Sequence, residues 1–217
     1  KRQIGKITLI SDESYFLHHA TLYATATGQS TEESVIPLNV IFAHHPNVEI
    51  VQDRVGAFDP HRNLISSKKK DYHYDKLVLA LGSVTTFFGI EGMAEHAYGI
   101  KSLEEVRKFH EHIHDEVVTK KLDKEYFVIG AGPTGIEMAG ALNTYLQSLK
   151  SIYRLKNSHS KVTLVEAAPQ IVPRMSKTAA NKVGTALKNQ GIKVLTNHKV
   201  NALAADAITI DGKDFPT

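Results

Sequence analysis

The sequence contains no cysteine and no tryptophan among its 217 residues. Without cysteine these residues cannot form a disulfide, a thiolate metal site or a redox-active cysteine pair, which fits a reducing compartment. No apolar run approaches the roughly 20 residues that a membrane-spanning helix needs. The net charge is only +3, and the basic residues are dispersed apart from short lysine runs. We therefore expect a globular protein that does not bind nucleic acid.

Two segments of the chain repeat the same order of elements. KITLIS at residues 6–11 is echoed by KVTLVE at residues 161–166, and both are typical of short buried strands. Each is followed by another strand and a valine-led hairpin, in NVEIVQDRVGAF (47–58) and GIKVLTNHKVNAL (191–203). We interpret them as two related α/β domains in tandem, and a chance likeness of two β-rich segments is the alternative.

The two copies lack different parts. The first turns at DPHRN (59–63), and YDKLVLALG (74–82) then predicts a closing strand. The second turns near residues 204–207 and reaches DFPT (214–217) where the corresponding strand is expected. Only the second copy is preceded by a strand, a glycine turn and a helix. The pattern predicts a first domain without its opening βα unit and a second without its closing strand.

A helix is predicted between the copies from Ser102 onward, with Ser102 as its N-cap and Glu105 as its capping-box partner. His110 and His114 share one face of this helix, and two histidines at this spacing could bind a metal ion. We predict a solvated helix instead, and no metal here or at the two histidine pairs earlier in the chain.

Three glycines lie between an apolar strand at residues 126–129 and an amphipathic helix. With this spacing the first glycine permits a tight turn, the second lets backbone approach a pyrophosphate, and the third lets the helix pack close to the strand. The helix N-terminal amides then face the anion. The predicted nucleotide cradle consists of Gly130, Gly132, Pro133, Thr134 and Gly135.

Glu166 ends the strand after that helix, 36 residues beyond Gly130 and further than the roughly 20 expected for this motif. A longer helix and the polar loop at residues 156–160 account for the excess. A carboxylate there accepts hydrogen bonds from ribose hydroxyls and repels a 2′-phosphate, so we predict NADH in preference to NADPH. A solvated glutamate at a strand end is the alternative.

On three motifs the chain resembles the type II NADH dehydrogenases, single-chain flavoproteins that pass electrons from NADH to quinone. These are GAGPTGIEMAGAL (130–142), KVTLVEAAPQIVPRMS (161–176) and YDKLVLALGSVTTFFGIEGMAEHAYGIKSLEE (74–105). The likeness covers nearly the whole chain, although its general motifs are shared by all flavoprotein oxidoreductases with two dinucleotide domains. Glu91 stands where the family commonly has proline.

The resemblance implies tandem dinucleotide-binding (Rossmann-like) α/β domains, each with a three-stranded β meander. An NADH domain, residues 97–217, is inserted in an FAD domain, residues 1–96, and both are truncated. Family members have an acidic residue that binds the FAD ribose at the position of Ser11. We assign this role to the neighbouring Asp12. Val55 would present backbone to the adenine. Ala80, Leu81 and Gly82 would lie beside the FAD pyrophosphate.

Glu137 has two interpretations. As a carboxylate in the first turn of its helix it would be stabilised by the helix dipole by about 0.3–1 kcal/mol, without a function. The resemblance instead places it where nicotinamide and flavin meet, as a catalytic carboxylate shielded from water that tunes or relays a proton.

The related disulfide reductases carry redox cysteines in a segment that corresponds to residues 14–28, which has none here. The electrons that FAD takes from NADH as hydride would therefore pass to quinone or another diffusible acceptor. A ferredoxin or other flavin reductase of the same architecture, and a non-catalytic NADH-binding module, are the alternatives.

The resemblance further implies a cytoplasmic protein held peripherally at the inner face of the cell membrane, through parts beyond Thr217, and it admits a homodimer. From the missing parts, we expect this chain alone to bind NADH weakly and to retain FAD poorly.

Overall fold

The computed structural model describes residues 5–156 and 158–217. The strands are β1 Ile7–Ser11, β2 Tyr15–Leu17, β3 Val35–Pro37, β4 Val48–Gln52, β5 Val55–Asp59, β6 Leu64–Ser67, β7 Asp71–His73, β8 Glu125–Ile129, β9 Lys161–Glu166, β10 Lys193–Thr196, β11 Val200–Leu203, β12 Ala207–Ile210 and β13 Lys213–Pro216. The α-helices are α1 Leu22–Ala26, α2 Leu38–Ile41, α3 Met93–His96, α4 Leu103–His114, α5 Pro133–Ile152 and α6 Lys177–Asn189. Two 3₁₀ turns cover His19–Thr21 and Thr31–Glu33, and a π-helical turn covers Asp115–Thr119.

The described residues form two compact units. The first contains the described residues up to 19 together with residues 31–83, and the second contains residues 20–30 together with residues 84–217. The division of the chain into an FAD domain and an NADH domain at residues 96 and 97 is a functional assignment, and it stays a prediction.

The first unit contains the parallel pair and the meander that its sequence predicts. Strand β1 runs parallel to β4, in register from Ile7 opposite Val48 to Ser11 opposite Gln52. Strands β5, β6 and β7 form an antiparallel meander, and its first turn falls at residues 60–63 as expected. Strands β2 and β3 form a separate antiparallel pair.

Two predictions for this unit are wrong. Residues 74–82 do not form a strand, and Val78 and Leu81 are 85% and 80% exposed. Strand β1 is not buried, since Ile7 is 47% exposed. The missing strand has a physical reason, because a strand is stabilised by hydrogen bonds to its neighbours. Among the described residues no strand pairs with residues 74–82, and β1 pairs with β4 alone.

The second unit is built on a three-stranded parallel sheet in the order β10-β9-β8. Helix α5 connects β8 to β9, and α6 connects β9 to β10, which is the strand order of half a Rossmann domain. The antiparallel meander β11-β12-β13 follows. One apolar cluster spans the parallel sheet and the meander, and it is centred on Val165, Val200, Ile208 and Ile210. The second copy therefore folds as predicted up to its meander.

Helix α4 begins with the capping box that the sequence predicts. The Ser102 hydroxyl accepts a hydrogen bond from the Glu105 amide at 3.2 Å, and the Glu105 carboxylate accepts one from the Ser102 amide at 2.9 Å. The preceding loop contacts the meander at Glu91, which bridges to Ala202 and whose carbonyl accepts from the Leu203 amide at 2.8 Å. The residue at the family's usual proline position therefore pairs with a strand.

None of the helices in the described part of the chain is both long and apolar enough to cross a membrane.

Candidate nucleotide-binding site

The glycine turn joins β8 to α5 and has the geometry that its spacing predicts. Gly130 has a φ of +95°, a conformation that side-chain-bearing residues rarely adopt, and its amide donates to the Val165 carbonyl at 2.8 Å. A Cβ on Gly135 would lie 1.9 Å from the Gly130 carbonyl oxygen. The first turn of the helix therefore packs against the end of the strand with no room for a side chain.

The N-terminus of α5 faces open space. Gly132 is its N-cap and Pro133 its first residue, so neither contributes a capping side chain. The first turn closes with a bond from the Ile136 amide to the Gly132 carbonyl at 3.1 Å, and the amides before it have no partner within the helix. A Cβ on Gly132 would meet nothing within 4 Å. These amides and the helix dipole together favour an anion at this point.

Glu166 ends β9 beside this turn. Its Oε2 accepts a hydrogen bond from the Ala131 amide at 2.7 Å, and its Oε1 accepts one from the Ala168 amide at 2.8 Å. The side chain is half-buried. Since an ionised carboxylate has about four acceptor positions, it can still accept bonds from two ribose hydroxyls. The structure thus brings together the predicted turn and the predicted acid.

Glu137 lies outside the first turn of α5, where one of its two interpretations places it. It is the fifth residue of α5, and no acidic residue lies in the first turn of that helix. The helix begins at Pro133, so the stabilisation expected from the dipole at the first turn does not apply to Glu137. Its side chain is exposed, and its catalytic role stays a prediction.

In the first unit, Asp12 and Val55 lie at one edge of the parallel pair. Asp12 follows β1, Val55 opens β5 shortly after β4, and the carboxyl ends of parallel strands share an edge. The Asp53 amide donates to the Ser11 carbonyl at 2.9 Å and so ties the two strand ends together. Asp12 is exposed and lies 4.0 Å from the Arg54 guanidinium. The structure therefore brings Asp12 and Val55 to the same edge of the parallel pair, and their roles toward FAD stay a prediction.

Ala80, Leu81 and Gly82 are all exposed in the segment that follows the meander. Gly82 has a φ of +72°. Because no strand forms here, the structure does not place these residues at the strand end that the resemblance implies.

The first unit also contains a buried carboxylate, Asp53. Asp53 Oδ2 accepts hydrogen bonds from the hydroxyls of Ser67 and Tyr72, both at 2.6 Å, and Oδ1 accepts from the Arg54 amide at 2.8 Å. The Ser67 hydroxyl, followed by that of Tyr72, holds the pKa of Asp53 below its ordinary value. The three residues stand far apart in the sequence, so no local motif marks them.

The second unit contains a cavity of about 660 Å³, lined in part by β8 and the first turn of α5. In its lining the Glu116 carboxylate is buried and lies 2.7 Å from Lys124 Nζ and 3.4 Å from His112 Nε2. Burial, followed by the charge of Glu116, raises the pKa of Tyr126.

The histidines of α4 contact aromatic side chains. The His110 ring lies 5.3 Å from that of Tyr145, and His114 Nε2 lies 3.2 Å from the Tyr153 hydroxyl. Across residues 5–156 and 158–217 no histidine, aspartate and glutamate side chains gather into a group that could hold a metal ion.

A family model for pyridine nucleotide-disulphide oxidoreductases matches residues 1–215. The chain belongs to that family. It does so without any cysteine in its sequence, so the disulphide chemistry in the family's name has no counterpart among these residues.

Within this family the chain is similar to a type II NADH:quinone oxidoreductase of Staphylococcus aureus, with 32% identity over 197 residues, which is 87% of this chain and 49% of the relative. Among solved structures it resembles NDH2 from Plasmodium falciparum in complex with NADH, with a TM-score of 0.84, 21% identity, and coverage of 94% of this chain and 46% of the other. A ferredoxin reductase of Rhodopseudomonas palustris has a TM-score of 0.78, 20% identity, and coverage of 99% and 51%.

These structural likenesses confirm the predicted fold, an α/β architecture of the pyridine nucleotide-disulphide oxidoreductases. The chain spans about half the length of the curated relatives that it matches.

Proposed function

We propose that this chain forms the nucleotide-binding part of an FAD-dependent NADH dehydrogenase that takes hydride from NADH and delivers the electrons to quinone. The contact that carries the proposal is the one between Glu166 and the glycine turn, because it combines a ribose acceptor with an anion cradle. The similarity to the Staphylococcus aureus enzyme supports the choice of acceptor.

NADH is the nucleotide that the second unit fits. The amides at the start of α5 face open space and favour a pyrophosphate, with Gly132 leaving room for its approach. The Glu166 carboxylate accepts a hydrogen bond from the Ala131 amide, which belongs to the glycine turn. Its carboxylate accepts bonds from the two hydroxyls of an unmodified ribose, whereas the 2′-phosphate of NADPH would meet its negative charge.

FAD is assigned to the first unit. Asp12 would bind the adenosine ribose, and the backbone of Val55 would face the adenine, since both lie at the carboxyl edge of β1 and β4. Ala80, Leu81 and Gly82 would lie beside the pyrophosphate once their segment pairs as a strand. When bound, FAD supplies the acceptor for the hydride. Glu137 would hold or pass a proton near that acceptor.

Two other functions fit the same fold. A ferredoxin reductase shares the architecture, as the Rhodopseudomonas palustris structure illustrates. A module that binds NADH without turnover would need only the glycine turn and Glu166. For the quinone-linked enzyme we further propose a peripheral position on the cytoplasmic face of the cell membrane, and assembly as a homodimer.

The test uses the full-length protein. Flavin content is measured from the absorption spectrum, and NADH oxidation is followed with a water-soluble quinone analogue and, separately, with a ferredoxin. We expect bound FAD and NADH-dependent reduction of the quinone analogue. Reduction of ferredoxin alone would identify the ferredoxin reductase. NADH binding without flavin or turnover would identify the binding module.

A further inference from the structure

Val172 has a backbone conformation that its side chain disfavours. Its φ is +41°, and for a β-branched residue this left-handed region is a genuine outlier. The side chain is only 4% exposed. Such a conformation persists only where the surrounding structure determines it, and outliers of this kind concentrate at functional sites.

The contact of Val172 with the glycine turn provides a reason. Its amide donates a hydrogen bond to the Ala131 carbonyl at 2.8 Å, and Ala131 is itself fully buried. The Ala131 amide in turn donates to Glu166 at 2.7 Å. Both polar groups of Ala131 are therefore fixed, one by the proposed ribose acceptor and the other by Val172.

The fixed carbonyl belongs to the peptide between Ala131 and Gly132. In a planar trans peptide the C=O and the N–H point in opposite directions. The bond from Val172 to the carbonyl therefore aims the Gly132 amide away from the Val172 loop. Gly132 is the N-cap of α5 and faces open space.

We infer that Val172 is a positioning residue for the pyrophosphate of the nucleotide, acting through the Ala131–Gly132 peptide rather than by touching the ligand. This inference rests on the proposed NADH function of the same site. The loop that follows Glu166 therefore does more than connect β9 to α6, because it sets the direction of one hydrogen-bond donor in the anion cradle. The Val172 side chain holds the loop in place by its burial.

The experiment replaces the Val172 amide of the full-length protein by an ester, which removes the donor and leaves the side chain intact. ADP-ribose, which carries the pyrophosphate, and adenosine, which does not, are titrated by calorimetry and by ligand-observed NMR. We expect about a tenfold loss of ADP-ribose affinity, as for one hydrogen bond to a charged group, and unchanged adenosine affinity. The matched control is an ester at Met175, whose amide donates to the Val172 carbonyl at 2.8 Å in the same loop. It should leave both affinities unchanged.

Unchanged ADP-ribose affinity in the Val172 ester, or an equal loss for both ligands, would overturn the inference and leave the proposed function standing. If the full-length parent protein binds neither ligand, the proposed function fails and the inference falls with it. A second measurement needs no variant. Hydrogen exchange at the Val172 amide should slow when ADP-ribose is added and not when adenosine is added, because binding and the bond stabilise the same peptide orientation. An amide that exchanges as fast as an exposed one also contradicts the inference.

Discussion

The Glu166 carboxylate lies 2.7 Å from the Ala131 amide, so the acid at the end of β9 and the glycine turn after β8 form one hydrogen-bonded unit. Residues 35 positions apart are brought together because β8 and β9 are neighbouring parallel strands whose carboxyl ends share an edge. This contact connects the predicted motif to the predicted nucleotide preference.

Replacing Glu166 with alanine should weaken NADH binding more than tenfold and narrow the preference for NADH over NADPH. The variant loses a charged hydrogen-bond acceptor, which contributes about 1.5–3 kcal/mol, and it loses the repulsion of the 2′-phosphate. Titrations with both nucleotides measure the effect. The control Glu166→Gln keeps one acceptor oxygen and should lose discrimination with a smaller loss of NADH affinity. Unchanged curves for both nucleotides would refute the assignment.

Replacing Gly135 with alanine should disrupt the glycine turn. The new Cβ would lie 1.9 Å from the Gly130 carbonyl, so α5 and β8 must move apart. We expect a loss of about 1–3 kcal/mol in the free energy of unfolding, together with weaker NADH binding. The matched control is Gly140→Ala in the same helix, where the Cβ would have only an ordinary contact at 3.7 Å. Because alanine favours helix, this control should be stabilised by up to about 1 kcal/mol. Equal denaturant midpoints for the two variants would contradict the account.

The extent to which the sequence predicts this structure depends on how local each feature is. The glycine turn at Gly130 and the capping box at Ser102 depend on a few adjacent residues, and both form as predicted. The strand at residues 74–82 needs hydrogen bonds from a neighbour, and its own residues cannot reveal whether one is present. Whether Glu137 lies in the first turn of α5 depends on the residue at which the helix begins, and a shift of one residue changes the answer. Nothing in the sequence marks the left-handed conformation of Val172, because valine has no preference for it.

Asp53 should make the stability of the protein sensitive to acid. Its pKa is lowered by the hydroxyls of Ser67 and Tyr72, so the folded state binds a proton less readily than the unfolded chain, whose aspartates have a pKa of about 3.9. The stabilisation is fully present above that value, and it is lost as pH falls through the lower folded pKa. In urea unfolding followed by circular dichroism, Asp53→Asn should be less stable than the parent at pH 6, and the difference should shrink below about pH 4.

Tyr72→Phe is the graded control for Asp53, because it removes one of the two hydroxyl donors. It should show the same pH dependence with a smaller amplitude. A difference between parent and Asp53→Asn that stays constant with pH would show that the carboxylate contributes through packing rather than through its charge.

Glu137→Gln keeps the size of the side chain and removes its charge. In the full-length protein we predict an unchanged fold and slower reduction of the flavin by NADH, since a proton carrier near the flavin is lost. Stopped-flow absorbance measures the rate. The control Glu111→Gln removes an exposed carboxylate from α4 and should reduce flavin at the parent rate. A parent-like rate in Glu137→Gln as well would leave Glu137 as a surface residue of α5.

The most direct test of the central claim is a single turnover of the full-length protein without oxygen. NADH is added to the flavin-loaded protein, the absorption of oxidised flavin at roughly 450 nm is followed, and a quinone analogue is then added. The account predicts that NADH bleaches the band, that NADPH does so far more slowly, and that the quinone analogue restores it. A band that NADH leaves unchanged, or one that bleaches and does not recover with the quinone analogue, would contradict the account.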